Sequence, residues 1–133
     1  MTTAAAPAAR RRAPIAAADP AVFVGFGASG DLTRRKLLPA LVNLRRAGAL
    51  SDRFAFLAVV RQPETVATFG PDVLAATAEF LETPLSEDEH AWFLQRIVAV
   101  AGEPDQPALS ADIAAALPEL QARVDAGGNA LFY

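Results

Sequence analysis

At 133 residues, with 53% hydrophobic and 20% charged residues, the chain has room for one packed domain, although 31 alanines inflate the apolar share. It has no cysteine and a single histidine, His90, which excludes a disulfide scaffold, a thiolate or histidine-rich metal site and a cysteine nucleophile; no apolar run approaches the roughly 20 residues that span a bilayer, so a membrane protein is not expected. The net charge of −3 is unevenly spread, with ten Lys/Arg against three acids in residues 1–61 and two against twelve in residues 62–133, so the first half has the sign that attracts phosphate.

Residues 1–20 form a separate compositional zone of alanine, three prolines and the run Arg10-Arg11-Arg12, with Ile15 as the one bulky apolar side chain. Such a segment cannot bury enough surface to offset its ordering entropy, and a disordered tail is expected. No apolar stretch follows the arginines, so a secretory signal is not expected; an organellar transit peptide is compatible with the acid-poor, Arg- and Ala-rich composition, although serine is missing. A nucleic-acid interface fits poorly, because aromatic residues do not interleave with the arginines and the second half is acidic.

Residues 21–26, AVFVGF, read as a buried parallel strand, apolar on both faces. After a glycine cluster, Leu32, Leu37, Leu38, Leu41, Val42 and Leu44 alternate with arginines as in an amphipathic helix, closed by Gly48 and bent by Pro39. FAFLAVV, residues 54–60, is a second buried strand. Gly70-Pro71 opens a helix whose apolar face runs to Leu81, and Ser86 and Glu89 have the spacing of a capping box for the next. Residues 97–100 are a weaker third strand. Ser110 caps a helix to about Val124, stopped by Gly127-Gly128, and residues 130–133 begin a fourth strand. The alternation predicts an α/β fold: a Rossmann-like parallel sheet of about four strands, with helices on both faces.

Gly25-x-Gly27-x-x-Gly30 closes the first strand and opens the first helix, the context in which three glycines cradle a dinucleotide. Gly27 permits the tight turn, Gly30 permits close approach of a pyrophosphate, and Ser29 adds a hydroxyl donor beside the amides of the helix start. The same glycines could form a bare turn. A phosphate loop of the Walker type is excluded, because no Gly-Lys-Ser/Thr follows. At the ribose corner, where an acid marks NAD, the second strand runs into Arg61-Gln62; a guanidinium there favours the 2′-phosphate of NADP, unless Arg61 is an ordinary solvated strand end.

Residues 27–41, GASGDLTRRKLLPAL, resemble the N-terminal cofactor motif of the glucose-6-phosphate dehydrogenase family, GASGDL[AT]-x-[KR]-K-L-x-P-A-L, to which Pro39 belongs. Arg61-Gln62 is also similar to the family's, and residues 129–133, NALFY, resemble the family's N-R-L-F-Y segment. The resemblance spans residues 21–133, weakly over 63–128. It implies a cytoplasmic oxidoreductase that takes glucose 6-phosphate to 6-phosphogluconolactone at the head of the pentose phosphate pathway, with NADP as hydride acceptor. Carried onto this chain, Gly27, Ala28, Ser29, Gly30, Asp31 and Leu32 form the phosphate turn and Arg61 meets the 2′-phosphate. Lys36 is expected towards the nicotinamide and substrate, unless it is a solvated helix lysine, and Tyr133 is expected at the cofactor.

The departures bear on activity. The family's substrate signature R-I-D-H-Y-L-G-K and its catalytic histidine are missing, and His90 lies at an acidic helix start. No catalytic residue and no metal site are expected. A complete dinucleotide domain has two halves and about six strands; this chain supplies one half and the first strand of the second. A truncated or split product is therefore expected, binding NADP weakly without turnover. Glucose 6-phosphate would bind only after completion by a catalytic domain, a partner chain or a homo-oligomer. The alternative is a non-catalytic nucleotide-binding or assembly module.

Overall fold

The computed structural model describes residues 20–132; Tyr133 and all but the last residue of the expected tail lie outside the described residues. Four strands, β1 (Ala21–Phe26), β2 (Phe54–Val60), β3 (Ile97–Ala101) and β4 (Ala130–Phe132), pair in parallel in the order β3-β2-β1-β4. The helices are α1 (Leu38–Arg46), α2 (Phe69–Ala78), α3 (Glu87–Leu94) and α4 (Pro107–Val124). The expected α/β architecture is present.

Alternation along β2 explains how one apolar run serves two cores. Phe54, Phe56, Ala58 and Val60 point to one face and pack with Leu38, Val42, Leu74 and Phe93 of α1, α2 and α3. Ala55, Leu57 and Val59 point to the other and meet Leu109 and Leu120 of α4, joined by Val22 and Val24 of β1. All seven residues of β2 are buried. Among the described residues, no helix is long and apolar enough to cross a membrane.

The structure departs from expectation in the first helical segment, in α4 and in α2. The first helical segment opens with a π-helical turn over Thr33–Leu37, directly ahead of α1 and Pro39, with the Leu38 N–H donating to the Thr33 carbonyl. In a regular helix the Pro39 ring would strike the carbonyl four residues back, and the wider turn relieves that contact. Helix α4 starts at Pro107 rather than Ser110, because proline's fixed φ suits a first helical turn. It ends on Asp125 in the left-handed region (φ 57°), ahead of the glycine pair expected to stop it. Helix α2 is shorter than expected, running Phe69–Ala78 and leaving Phe80 exposed.

Helices α1 and α3 are locked together. The Ser86–Glu89 capping box forms as expected, with the Glu89 N–H donating to Ser86 Oγ and the Ser86 N–H to Glu89 Oε1. Arg46 grips the same carboxylate twice, at 2.7 and 2.9 Å, and donates to the Thr83 and Pro84 carbonyls. Hydrogen bonds from Arg46 above all, and then from the Ser86 backbone, hold the Glu89 carboxyl down at about 2. In α3, the Trp92 ring has the guanidinium groups of Arg45 and Arg96 at 4.5 and 4.1 Å from its centroid.

Candidate functional site

Strand β1 is central, and the chain leaves it first for β2 on one side and later for β4 on the other. Its C-terminal end is thus the point where strand order reverses, where open α/β sheets place their ligands. Gly27 makes the turn there with φ +65°, and a side chain at this position would point into open space. The Ala28 N–H donates to the Val59 carbonyl at 3.0 Å, tying the turn to β2, and the Gly30 N–H closes it onto the Gly27 carbonyl at 3.0 Å. Gly25 serves packing instead: a Cβ would come within 2.7 Å of the Phe56 ring.

The turn separates two pockets. On the β2 side, Ala28, Ser29, Gly30 and Arg34 face Thr65, Phe69, Asp72, Val73 and Ala76 across about 150 Å³. On the other side, about 330 Å³ is lined by Phe23, Gly25, Phe26, Gly27, Leu32, Thr33, Lys36 and Leu37. The expected turn residues are thereby brought together: Ala28, Ser29 and Gly30 on the first pocket, Gly27, Leu32 and Lys36 on the second. Asp31 sits between them, paired with Arg34 at 3.2 Å and Arg35 at 3.0 Å.

Arg61 lines neither pocket. It follows β2 directly, and the 3₁₀ turn after it (Pro63–Thr65) contributes Thr65 to the first pocket. The Arg61 side chain is 75% exposed, with Nε 3.9 Å from Glu103 Oε2. His90 lies away from the turn, in a shallow groove with Leu85, Ser86 and Glu87. No cluster of three or more His, Asp or Glu among the described residues could hold a metal ion.

Sequence reading did not anticipate the outer wall of the first pocket. Thr65, Phe69, Asp72, Val73 and Ala76 come from α2 and the turn before it, and carry no local motif; the parallel pairing of β1 with β2 brings them opposite the glycine turn.

A glycine turn at the switch point of a parallel 3-2-1-4 sheet, with a pocket on either side, defines a doubly wound fold of the dinucleotide-binding class. Within that class, the chain belongs to the family described as "Glucose-6-phosphate dehydrogenase, NAD binding domain", whose sequence model matches residues 24–133. It is 35% identical over 116 residues to glucose-6-phosphate 1-dehydrogenase of Chlamydia pneumoniae, covering 86% of this chain and 22% of that protein. Glucose-6-phosphate 1-dehydrogenase 2 of Mycobacterium tuberculosis (strain H37Rv) is 32% identical over 116 residues, covering 87% and 23%. A solved glucose-6-phosphate dehydrogenase in complex with glucose 6-phosphate superposes with a TM-score of 0.71 at 25% identity, over 92% of this chain and 25% of that one. The chain thus spans about a quarter or less of the length of these relatives.

Proposed function

We propose that residues 21–133 bind NADP as the coenzyme half-site of a cytoplasmic glucose-6-phosphate dehydrogenase, and that oxidation of glucose 6-phosphate belongs to the completed enzyme. The observation that carries this reading is the Gly27–Asp31 turn at the sheet's switch point, open above Gly27 and flanked by a pocket on each side. The space beside Gly27 and the start of the helical run at Asp31 suit a pyrophosphate, whose charge the helix N-terminus favours.

In this reading Gly27, Ala28, Ser29, Gly30, Asp31 and Leu32 hold the pyrophosphate. Asp31, neutralised by Arg34 and Arg35, keeps its charge from opposing the phosphates. The first pocket takes the adenosine end, with Arg61 reaching a 2′-phosphate. Lys36 and Leu32, on the second pocket, face the nicotinamide side, and Tyr133 completes the cofactor site. NADP bound there would supply the hydride acceptor. His90, in its groove on α3, lines neither pocket beside the turn and is given no part in the chemistry.

Calorimetric titration of the chain tests this reading. Saturable binding that prefers NADP over NAD is expected, and Arg61→Ala should weaken NADP by about 1–3 kcal/mol while barely changing NAD. Equal losses for both cofactors would remove Arg61 from the site.

A second reading draws on the exposed apolar edge of β4: a non-catalytic nucleotide-binding module completed by a partner chain or a further copy of itself. Glucose 6-phosphate-dependent formation of NADPH by the protein as the cell makes it would exclude that module.

A further inference from the structure

Arg61 has a competitor for its charge. The parallel register sets Val60 beside Ala101, and the Gly102 N–H donates to the Val60 carbonyl at 2.9 Å. Arg61, directly after β2, and Glu103, two residues after the end of β3, therefore leave the sheet near one another. The Glu103 backbone is pinned: its N–H donates to Gln106 Oε1 at 3.2 Å, and its carbonyl accepts from the Gln106 N–H at 3.0 Å. Gly102 is pressed against Leu109, where a Cβ would approach within 3.0 Å, so this corner cannot swing away freely. The Glu103 carboxylate lies near Arg61, with Oε2 3.9 Å from Nε.

We propose that Glu103 is a specificity-determining residue that blunts the preference for NADP over NAD which Arg61 confers. This rests on the reading of Arg61 as the 2′-phosphate contact. A carboxylate beside that guanidinium acts twice: it offers Arg61 an alternative partner, and it repels the incoming dianion. Neither effect touches NAD, which brings hydroxyls to the corner. Both partners are largely solvated, with the Glu103 side chain 44% exposed, so the effect is moderate and weakens with added salt.

The test uses two ribose-corner probes on the 133-residue chain: adenosine 2′,5′-bisphosphate, which carries the 2′-phosphate, and 5′-AMP, which lacks it. Glu103→Gln should tighten the bisphosphate about three- to tenfold and leave 5′-AMP unchanged. Glu103→Lys should tighten it further. The gain should vanish when Arg61→Ala is added and shrink at high salt. If Arg61→Ala weakens the bisphosphate but neither Glu103 variant changes it, the role of Glu103 is overturned and the coenzyme reading survives. If the wild-type chain binds neither probe, or binds both without regard to Arg61, the assignment of Arg61 falls and Glu103 with it. Thermal melts of each variant matching the parent keep these outcomes distinct from misfolding.

Discussion

The two flanks of β1 are built to different standards. On one side, six residues of β1 register with β2, and every residue of β2 is buried between α4 and the layer of α1, α2 and α3. On the other, three residues register with β4, where Leu131 and Phe132 are 60% and 59% exposed. Both strands are apolar, so composition does not separate them; among the described residues, helices cover both faces of β2 and leave Leu131 and Phe132 of β4 exposed. The candidate site straddles this difference. Its first pocket has an outer wall from α2 and the turn before it, whereas among the described residues the second is lined by β1, the glycine turn and the helical start after it.

Substitutions on the two flanks should differ accordingly. The largest loss is expected from Phe56→Ala. Phe56 is fully buried, edge-to-face with Phe23 at 5.8 Å and tilted against Phe69 at 6.5 Å. Denaturant unfolding should show a loss of about 3–5 kcal/mol, and a loss below 1 kcal/mol would mean that the β2 side is less well packed than described. An intermediate effect belongs to the clamp between α1 and α3. Glu89 titrates near 2 when folded, below the ordinary carboxylate value, so its stabilising contribution is complete above about pH 4.5 and fades as pH falls towards 2. Arg46→Ala should cost about 1–2 kcal/mol at neutral pH, and the gap from wild type should close over that acid range. A gap independent of pH would show that Arg46 acts by packing alone. The smallest effect is expected on the open flank, where Leu131→Ser should shift stability by no more than about 0.5 kcal/mol. A larger loss would reveal contacts of β4 beyond its pairing with β1.

Much of this organisation was legible in the residues. Both central strands stood out as apolar on either face, and the Ser86/Glu89 spacing located a helix start to the residue. The glycine turn was legible because its requirements are local: a strand before it, a helix after it, and a position tolerant of positive φ. Element ends were less so. The π-helical turn before Pro39 depends on how the chain relieves a steric contact, and two wider or narrower turns satisfy the same apolar pattern. Helix α4 also runs through Pro118, where local propensity alone would break it. Least legible were relations between distant segments. The wall of the first pocket and the neighbour of Arg61 depend on strand register, and nothing in the residues around Glu103 announces that it stands beside Arg61.

Strand β2 also has a life outside the folded state. FAFLAVV combines aromatic and branched residues with no charge and no proline, the composition from which cross-β aggregates nucleate when a chain is unfolded. In the native sheet that hazard is hidden, because the segment is buried on both faces and paired on both edges. During synthesis or refolding it is shielded only by what flanks it, and the flanks are Asp52-Arg53 and Arg61. Charged gatekeepers at the two ends of such a segment oppose its stacking into fibrils. Arg61 therefore guards the solubility of the nascent chain at the same position from which it would select a phosphorylated cofactor, and exchanging it for an apolar residue would compromise yield as well as affinity.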